Sequence, residues 1–155
     1  MRTLWLLPAL AGCAGAPAGT NAPVEPGPGP AAPLSEEYQA MVDSVERPFR
    51  EPGTVTARLN EEVAVGSLRV RPLAILEDTR CPIDVECVHG GNIRVRVAVS
   101  GLGETEMELH RPLVITGGEP LRLTAVAPPR WSRPPPPGID PNEPPRFGFR
   151  RGERD

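Results

Sequence analysis

The chain has 155 residues, which is room for one domain of modest size. Glycine and proline together supply about a quarter of them, the level at which segments of low complexity are expected. The formal net charge is −3, and all 17 basic residues are arginines scattered along the chain, so the concentrated positive charge of a nucleic-acid-binding protein is missing. No apolar run approaches the length needed to span a bilayer, which excludes a polytopic membrane protein.

The first residues predict an export signal. A short positive start at 1–3 is followed by an apolar stretch at 4–10 and then by small residues, the layout of a signal peptide rather than of a fold element. The Leu-Ala-Gly-Cys run at 10–13 resembles the bacterial lipobox at all four positions. We therefore expect a lipoprotein signal peptide over 1–12 and a lipidated Cys13 that fixes the protein to a membrane. The alternative is an ordinary buried N-terminal segment.

Residues 13–35 predict a lipidated cysteine followed by a disordered tether. The segment 14–35 contains six prolines and almost nothing that a core would bury. In polyproline II form it would reach on the order of 60 Å, at about 3.1 Å per residue. Ala14 stands where some bacteria use aspartate for inner-membrane retention, which favours the outer membrane, facing the periplasm or the cell surface.

A short amphipathic helix is predicted over 36–48. Ser35 is a candidate N-cap, two glutamates follow it, and Pro48 ends the pattern. The apolar side chains that share one face are Tyr38, Met41, Val42 and Val45. We expect this face to pack against the domain rather than to recruit a partner.

Residues 54–150 predict an all-β domain, because the apolar period changes there from 3.6 to 2. The fold class is a single antiparallel β-sandwich or small barrel of about six to seven short strands, preceded by the one helix. Pro72 shifts the apolar phase and predicts a bulge or an edge strand. The predicted strands are Val55–Leu59, Ser67–Leu76, Asn92–Val99, Glu104–Leu109, Leu121–Val126 and Arg146–Phe149.

The clearest pair of strands is a hairpin around Ser100-Gly101-Leu102-Gly103. A turn of three or five residues places the apolar side chains of both strands on one face, whereas a turn of four would set Val97 against Glu106. The arginines and glutamates of the two strands then face each other on the outer surface, where each pair contributes only tenths of a kcal/mol. We interpret them as devices for register and solubility.

Three cysteines become an even pair once Cys13 is assigned to lipid. Cys81 and Cys87 then predict a disulfide, the default in a chain sent to an oxidising compartment. A loop of about seven residues is worth about 2 kcal/mol in the chain-entropy model, so the bond would fix one loop and not the whole domain. A redox dithiol and a zinc site are weaker alternatives, because five residues separate the cysteines and only His89 and His110 are available as further ligands.

The two segments around these cysteines, 77–82 and 87–92, read Glu-Asp-Thr-Arg-Cys-Pro and Cys-Val-His-Gly-Gly-Asn. They resemble the signature of a group of small bacterial envelope lipoproteins that carry Asp-Ser-Arg-Cys-Pro and then Cys-Val-Trp-Ala-Gly. The chain differs at Thr79, and at His89 and Gly90, where that group has tryptophan and alanine. The resemblance implies an envelope location and a similar fold, and it implies no mechanism. The motif residues it selects are Asp78, Arg80, Pro82 and Gly91.

Polar residues near the cysteines allow two other interpretations. Oxygen ligands for a hard cation are available from Glu77, Asp78, Asp84, Glu86 and the Asn92 amide, although their spacing matches no defined calcium loop. An ion pair from Asp78 to Arg80, or turn hydrogen bonds to backbone amides, is the favoured structural role. We interpret His89 and His110 as solvated or capped loop residues, because no motif places a nucleophile beside them.

The segment 128–145 contains nine prolines and predicts a long loop before the last strand. Its candidate binding residues are Arg130, Trp131 and Arg133, which accompany a preformed polyproline II stretch able to dock in an aromatic groove. The alternative is a plain connection, with Trp131 covering the edge of the core.

These observations predict a lipid-anchored bacterial envelope protein with a non-catalytic β-domain for binding or structural support. The expected partners are the membrane and an envelope protein; no nucleic acid, cofactor or metal is expected. The first alternative is an inhibitor of an envelope enzyme or an accessory factor to one, and a metal-binding protein is a more remote one. An enzyme would need a pocket with convergent polar groups, whereas a partner-binding protein would show an exposed apolar patch or a rigid protruding loop.

Overall fold

Eight strands form two four-stranded antiparallel sheets in the computed structural model, which describes residues 35–137, 139–140 and 142–152. The predicted all-β fold with one preceding helix is confirmed, and the two sheets make it a sandwich. The predicted signal peptide, Cys13 and the tether up to residue 34 lie outside the described residues. The strands are β1 Val55–Arg58, β2 Val63–Val65, β3 Leu68–Asp78, β4 Ile93–Val99, β5 Gly103–Glu108, β6 Pro112–Leu113, β7 Leu121–Ala127 and β8 Arg146–Arg151.

One sheet has the order β1-β8-β7-β6 and the other the order β2-β3-β4-β5. Alternation along each strand places one set of side chains between the sheets, where removal of apolar surface from water stabilises the fold. The largest fully buried side chains are Phe147 and Phe149 of β8, and they pack in one cluster with residues of both sheets. The other members of that cluster include Val70, Ile93, Val95, Val97, Met107, Leu121 and Leu123.

The β4–β5 hairpin has the predicted register. Val97 lies opposite Thr105 and Arg96 opposite Glu106, which leaves a three-residue turn from Ser100 to Leu102. Arg94 joins the charged face of the sheet through ion pairs of 2.9 Å to Glu77 and 3.2 Å to Glu106. All three of these side chains are half exposed, so they contribute little stability.

Two short strands, β2 and β6, were not predicted, because three and two residues are too few to show an alternating pattern. The register of β3 slips at Pro72, as predicted, and slips again between Ile75 and Glu77. β3 is not an edge strand of its sheet, since it lies between β2 and β4. β2 pairs only with Leu68–Val70, however, so Pro72 falls beyond the part of β3 that β2 covers.

Helix α1, Glu36–Glu46, begins at Ser35, whose hydroxyl accepts a 3.5 Å hydrogen bond from the Tyr38 backbone N–H. A single 3₁₀ turn, Arg47–Arg50, follows it in place of the last predicted residues of the helix. This turn brings Phe49 against Gly148 on the outer face of the first sheet. Among the described residues, no helix is long and apolar enough to cross a membrane.

Candidate functional site

Two loops meet at one end of the sandwich. The first, residues 79–92, joins the paired ends of β3 and β4 and is called the disulfide loop below. The second, residues 128–145, joins the paired ends of β7 and β8 and is called the proline loop. Because the loops leave different sheets, contacts between them also hold the two sheets together at this end.

The disulfide loop contains the predicted bond between Cys81 and Cys87, whose Cα atoms lie 6.0 Å apart. A turn within the bonded segment is marked by a 3.4 Å hydrogen bond from the Val85 N–H to the Pro82 carbonyl. The tip of the loop exposes two apolar side chains to water, since Val85 is 43% exposed and Val88 is 96% exposed. The bond therefore constrains a segment that contributes little to the core.

The central contact between the loops is made by Arg80, whose side chain is only 15% exposed. Its Nε and Nη2 donate to the two carboxylate oxygens of Asp78 at 2.9 and 2.8 Å. Its Nη1 donates to the Val126 carbonyl at 2.7 Å, and Nη2 also donates to the Pro128 carbonyl at 3.1 Å. Both structural roles predicted for this pair are present, because the Arg80 backbone N–H also donates to Asp78 at 3.2 Å.

Asp78 keeps its charge in this partly buried position. Burial by itself raises the pKa of the Asp78 carboxyl, but the hydrogen bonds and the positive charge of Arg80 outweigh it and hold that pKa below its ordinary value. The charge of Arg130 acts in the same direction. The guanidinium and the carboxylate thus compensate each other's loss of water.

A second set of contacts continues along the proline loop. Arg130 Nη1 donates to the Arg80 carbonyl at 2.9 Å, and the Ile83 N–H donates to the Arg130 carbonyl at 3.0 Å. Asp84 then accepts from the backbone N–H of Ser132 at 2.8 Å and from its hydroxyl at 2.7 Å. These two donors hold the pKa of Asp84 below its ordinary value.

Helix α1 and β8 hold the proline loop from the other side. The rings of Tyr38 and Trp131 are tilted at 37° with centroids 6.0 Å apart. At the far end of the loop, Glu143 accepts from Arg146 at 3.1 Å, and Arg146 also donates to Glu46 of α1 at 2.6 Å. The long proline loop is therefore attached at both of its ends.

The motif residues have identifiable roles at the base of the disulfide loop. A Cβ atom on Gly91 would lie 1.4 Å from the Thr79 carbonyl oxygen, so the backbone approach there admits only glycine. The same contact point is fixed by a 2.8 Å hydrogen bond from the Thr79 N–H to the Asn92 carbonyl. Asp78, Arg80 and Gly91 meet at this base, whereas Pro82 lies in the turn of the bonded segment.

The carboxylates considered as cation ligands do not converge. Glu77 pairs with Arg94, Asp78 with Arg80, and Asp84 with Ser132. Within the described ranges, no group of three histidine, cysteine or acidic side chains is placed to hold a metal ion. His89 and His110 are both exposed.

Several clefts among the described residues are open to solvent, and one of about 240 Å³ lies at the base of the loops beside Asp78, Arg80 and Arg130. A cleft of about 400 Å³ lies within the proline loop and is lined by Pro128, Pro129, Trp131, Arg133, Pro134 and Asp140 among others. A larger one of about 900 Å³ lies at the opposite end of the sandwich, beside the connection from β6 to β7. None of the site residues predicted from the sequence lines the larger cleft.

The sequence did not indicate three of the residues that hold the loops. The sequence pattern places Tyr38 on a helix face and offers Asp84 as a cation ligand, and it gives no signal at Ser132. Asp84 and Ser132 are 48 residues apart, and no local pattern relates them. The pairing of their loops becomes visible only once the ends of β3 and β7 are known to lie together.

Comparison of the chain with protein-family models, with curated proteins and with solved structures finds no match. The resemblance of the two cysteine-containing segments to envelope lipoproteins therefore stays a prediction.

Replacement of Arg80 tests whether it joins the loops. Arg80→Ala removes the guanidinium donors from the Asp78 carboxylate and the Val126 carbonyl, so the free energy of unfolding should fall by about 2–4 kcal/mol. Arg80→Lys should recover part of this loss, since an ammonium group cannot form the planar fork. The matched control is Arg96→Ala on the exposed face of β4, expected within about 0.5 kcal/mol of the parent protein in urea unfolding. Equal losses for Arg80→Ala and Arg96→Ala would refute the role given to Arg80.

Acid titration tests the contact between Asp84 and Ser132. Because the pKa of Asp84 is lower in the folded protein than in the unfolded chain, its contribution to stability is present above the unfolded value of about 3.9. This contribution is lost as the pH falls through the lower folded pKa. The backbone amide resonance of Ser132 should shift with that lower midpoint, and Asp84→Asn should abolish the shift. A midpoint at or above the ordinary aspartate value would contradict the contact.

Proposed function

We propose that this protein is a lipid-anchored binding module of the bacterial cell envelope, with the disulfide loop and the proline loop as its non-catalytic binding surface. The observation that carries the proposal is the attachment of an exposed, proline-rich loop by side chains of a second, disulfide-bonded loop. The contacts from Arg80, Arg130 and Asp84 fix both loops while leaving their outer surfaces in water. A surface fixed before binding loses less conformational freedom on association, which favours affinity.

The composition of this surface suits a protein partner. It presents apolar side chains at Val85 and Val88, prolines, and the cation of Arg133, whose side chain is 77% exposed. Arginine is enriched in protein interfaces, and exposed apolar groups add surface that a partner can bury. A protruding loop stiffened by a disulfide is also the feature expected of an enzyme inhibitor, so inhibition of an envelope enzyme is the second candidate function.

The anchor rests on the sequence alone. A lipidated Cys13 followed by the proline-rich segment 14–34 would hold the domain near a membrane and leave it free to reach a partner. The outer membrane, facing the periplasm or the cell surface, is the location we propose.

The anchor is tested by Cys13→Ser, because only the cysteine sulfur takes the lipid. The variant should lose acylation and signal-peptide cleavage, and it should leave the detergent phase in which the parent protein partitions. Mass spectrometry of the purified protein gives the readout. Normal partitioning with an unchanged mature mass would contradict the lipobox.

The binding surface is tested by replacing residues 130–145 with a Gly/Ser linker of equal length. Pull-downs from envelope extracts should recover a protein with the parent chain that is lost with the replacement. Arg96→Ala, remote from both loops, serves as the control and should recover the same protein. Recovery that is unchanged by the linker would show that binding occurs elsewhere.

A further inference from the structure

We infer that the segment Arg133–Pro137 of the proline loop is recognised as a polyproline II ligand by a partner protein, in a groove lined with aromatic side chains and carrying one carboxylate for Arg133. This inference rests on the proposed function, since it names the class of partner for the same surface.

The backbone of the segment is restricted by its sequence. Four consecutive prolines, 134–137, each fix φ near −65°, and a residue that precedes a proline is driven away from the helical region. Polyproline II is the conformation that satisfies both restrictions. Prolines also have no backbone N–H, so this stretch cannot pair as a strand and offers a partner only its rings and its carbonyl groups.

The pattern of exposure has the period of a polyproline II helix. Pro134 and Pro137 are exposed, whereas Pro135 and Pro136 between them are partly covered. With three residues per turn, positions 134 and 137 lie on the same edge of such a helix. The edge formed by Pro134 and Pro137 faces water and is therefore the one that a groove of a partner would contact.

The segment is held in place by its neighbours. Ser132, directly before it, is fixed to Asp84, and the Ile139 N–H donates to the Pro136 carbonyl at 3.2 Å to form a turn at its other end. The segment therefore loses little further conformational freedom when it binds in a groove. This is the advantage that makes preformed polyproline II segments good ligands.

The cation of Arg133 is available to a partner. Its Nε lies 3.9 Å from the nearest oxygen of Asp84, and that carboxylate already accepts two shorter hydrogen bonds from Ser132. A carboxylate at the rim of the groove would give Arg133 the close, charge-assisted contact that Asp84 does not. This contact would also set the direction in which the segment lies in the groove.

The inference is tested by site-specific photo-cross-linking in cells that express the full-length protein. The probe is a benzophenone amino acid at position 139, just beyond the segment. The yield of the cross-linked protein should fall about tenfold or more when Pro134→Ala and Pro137→Ala are combined. Arg133→Ala should lower it roughly two- to fivefold. Pro144→Ala and Arg96→Ala are matched controls at exposed positions outside the segment, and they should leave the yield unchanged.

Two further readouts make the result specific. The amide resonance of Ser132 should be unchanged in the proline variants, which shows that the base of the loop is intact. Mass spectrometry should map the cross-link to a groove of the partner that contains aromatic residues and an acidic residue. A cross-link to lipid or glycan, to a surface without aromatic residues, or with a yield that the paired proline variants do not change, would overturn the inference.

A second probe at position 88 separates this inference from the proposed function. If position 88 captures a protein and position 139 does not, the binding surface stands and the polyproline recognition is wrong. If neither position captures a protein, both are wrong.

Discussion

The guanidinium of Arg80 donates to two backbone carbonyls where β7 ends. Val126 lies in β7 and Pro128 directly follows that strand, whereas Arg80 follows β3 of the other sheet, so one side chain joins the exits of both sheets. A charged group at 15% exposure is costly without a partner, and the bidentate contact with Asp78 compensates that cost. The fork therefore holds the bases of the two loops together, and the contacts of Arg130, Ile83 and Asp84 continue from it.

The composition of the proline loop explains why the disulfide loop supplies donors for its carbonyl groups. Nine prolines in 128–145 remove nine backbone donors, so the loop has carbonyl groups in excess. The disulfide loop supplies donors to them, from the guanidinium of Arg80 and from the backbone of Ile83. It also supplies the carboxylate of Asp84 to Ser132, whose backbone N–H and hydroxyl are donors that the proline loop retains. The two loops are complementary in hydrogen bonding rather than in apolar surface.

The sequence predicted the parts of this structure that depend on local order. Alternation along β4 and β5 gave the hairpin register, because a slip of one residue would turn Val97 and Met107 outwards. The even pair of cysteines that remains once Cys13 is assigned to lipid predicted the disulfide between Cys81 and Cys87. The contacts between the loops could not be predicted in the same way: Arg80 and Val126 are 46 residues apart, and their proximity depends on how two separate sheets pack. The ion pair between Asp78 and Arg80 could be predicted, because the two residues are neighbours in the sequence. The hydrogen bonds from the same guanidinium to Val126 and Pro128 could not.

The proline loop is attached largely through backbone carbonyls, so the sequence of its exposed side chains can vary without loss of the attachment. Arg80 and Ile83 donate to the backbone carbonyls of Val126 at the end of β7 and of the proline loop that follows. These carbonyls exist whatever side chains the loop carries. Arg130, Trp131, Ser132 and Glu143 also take part through their own side chains. Arg133, Pro134 and Pro137 are exposed, and Arg133 Nε approaches Asp84 only to 3.9 Å, so these three side chains can be chosen for a partner with little effect on the loops. A scaffold that fixes a loop by its backbone separates stability from recognition, because the recognised side chains can change while the donors that position them stay the same.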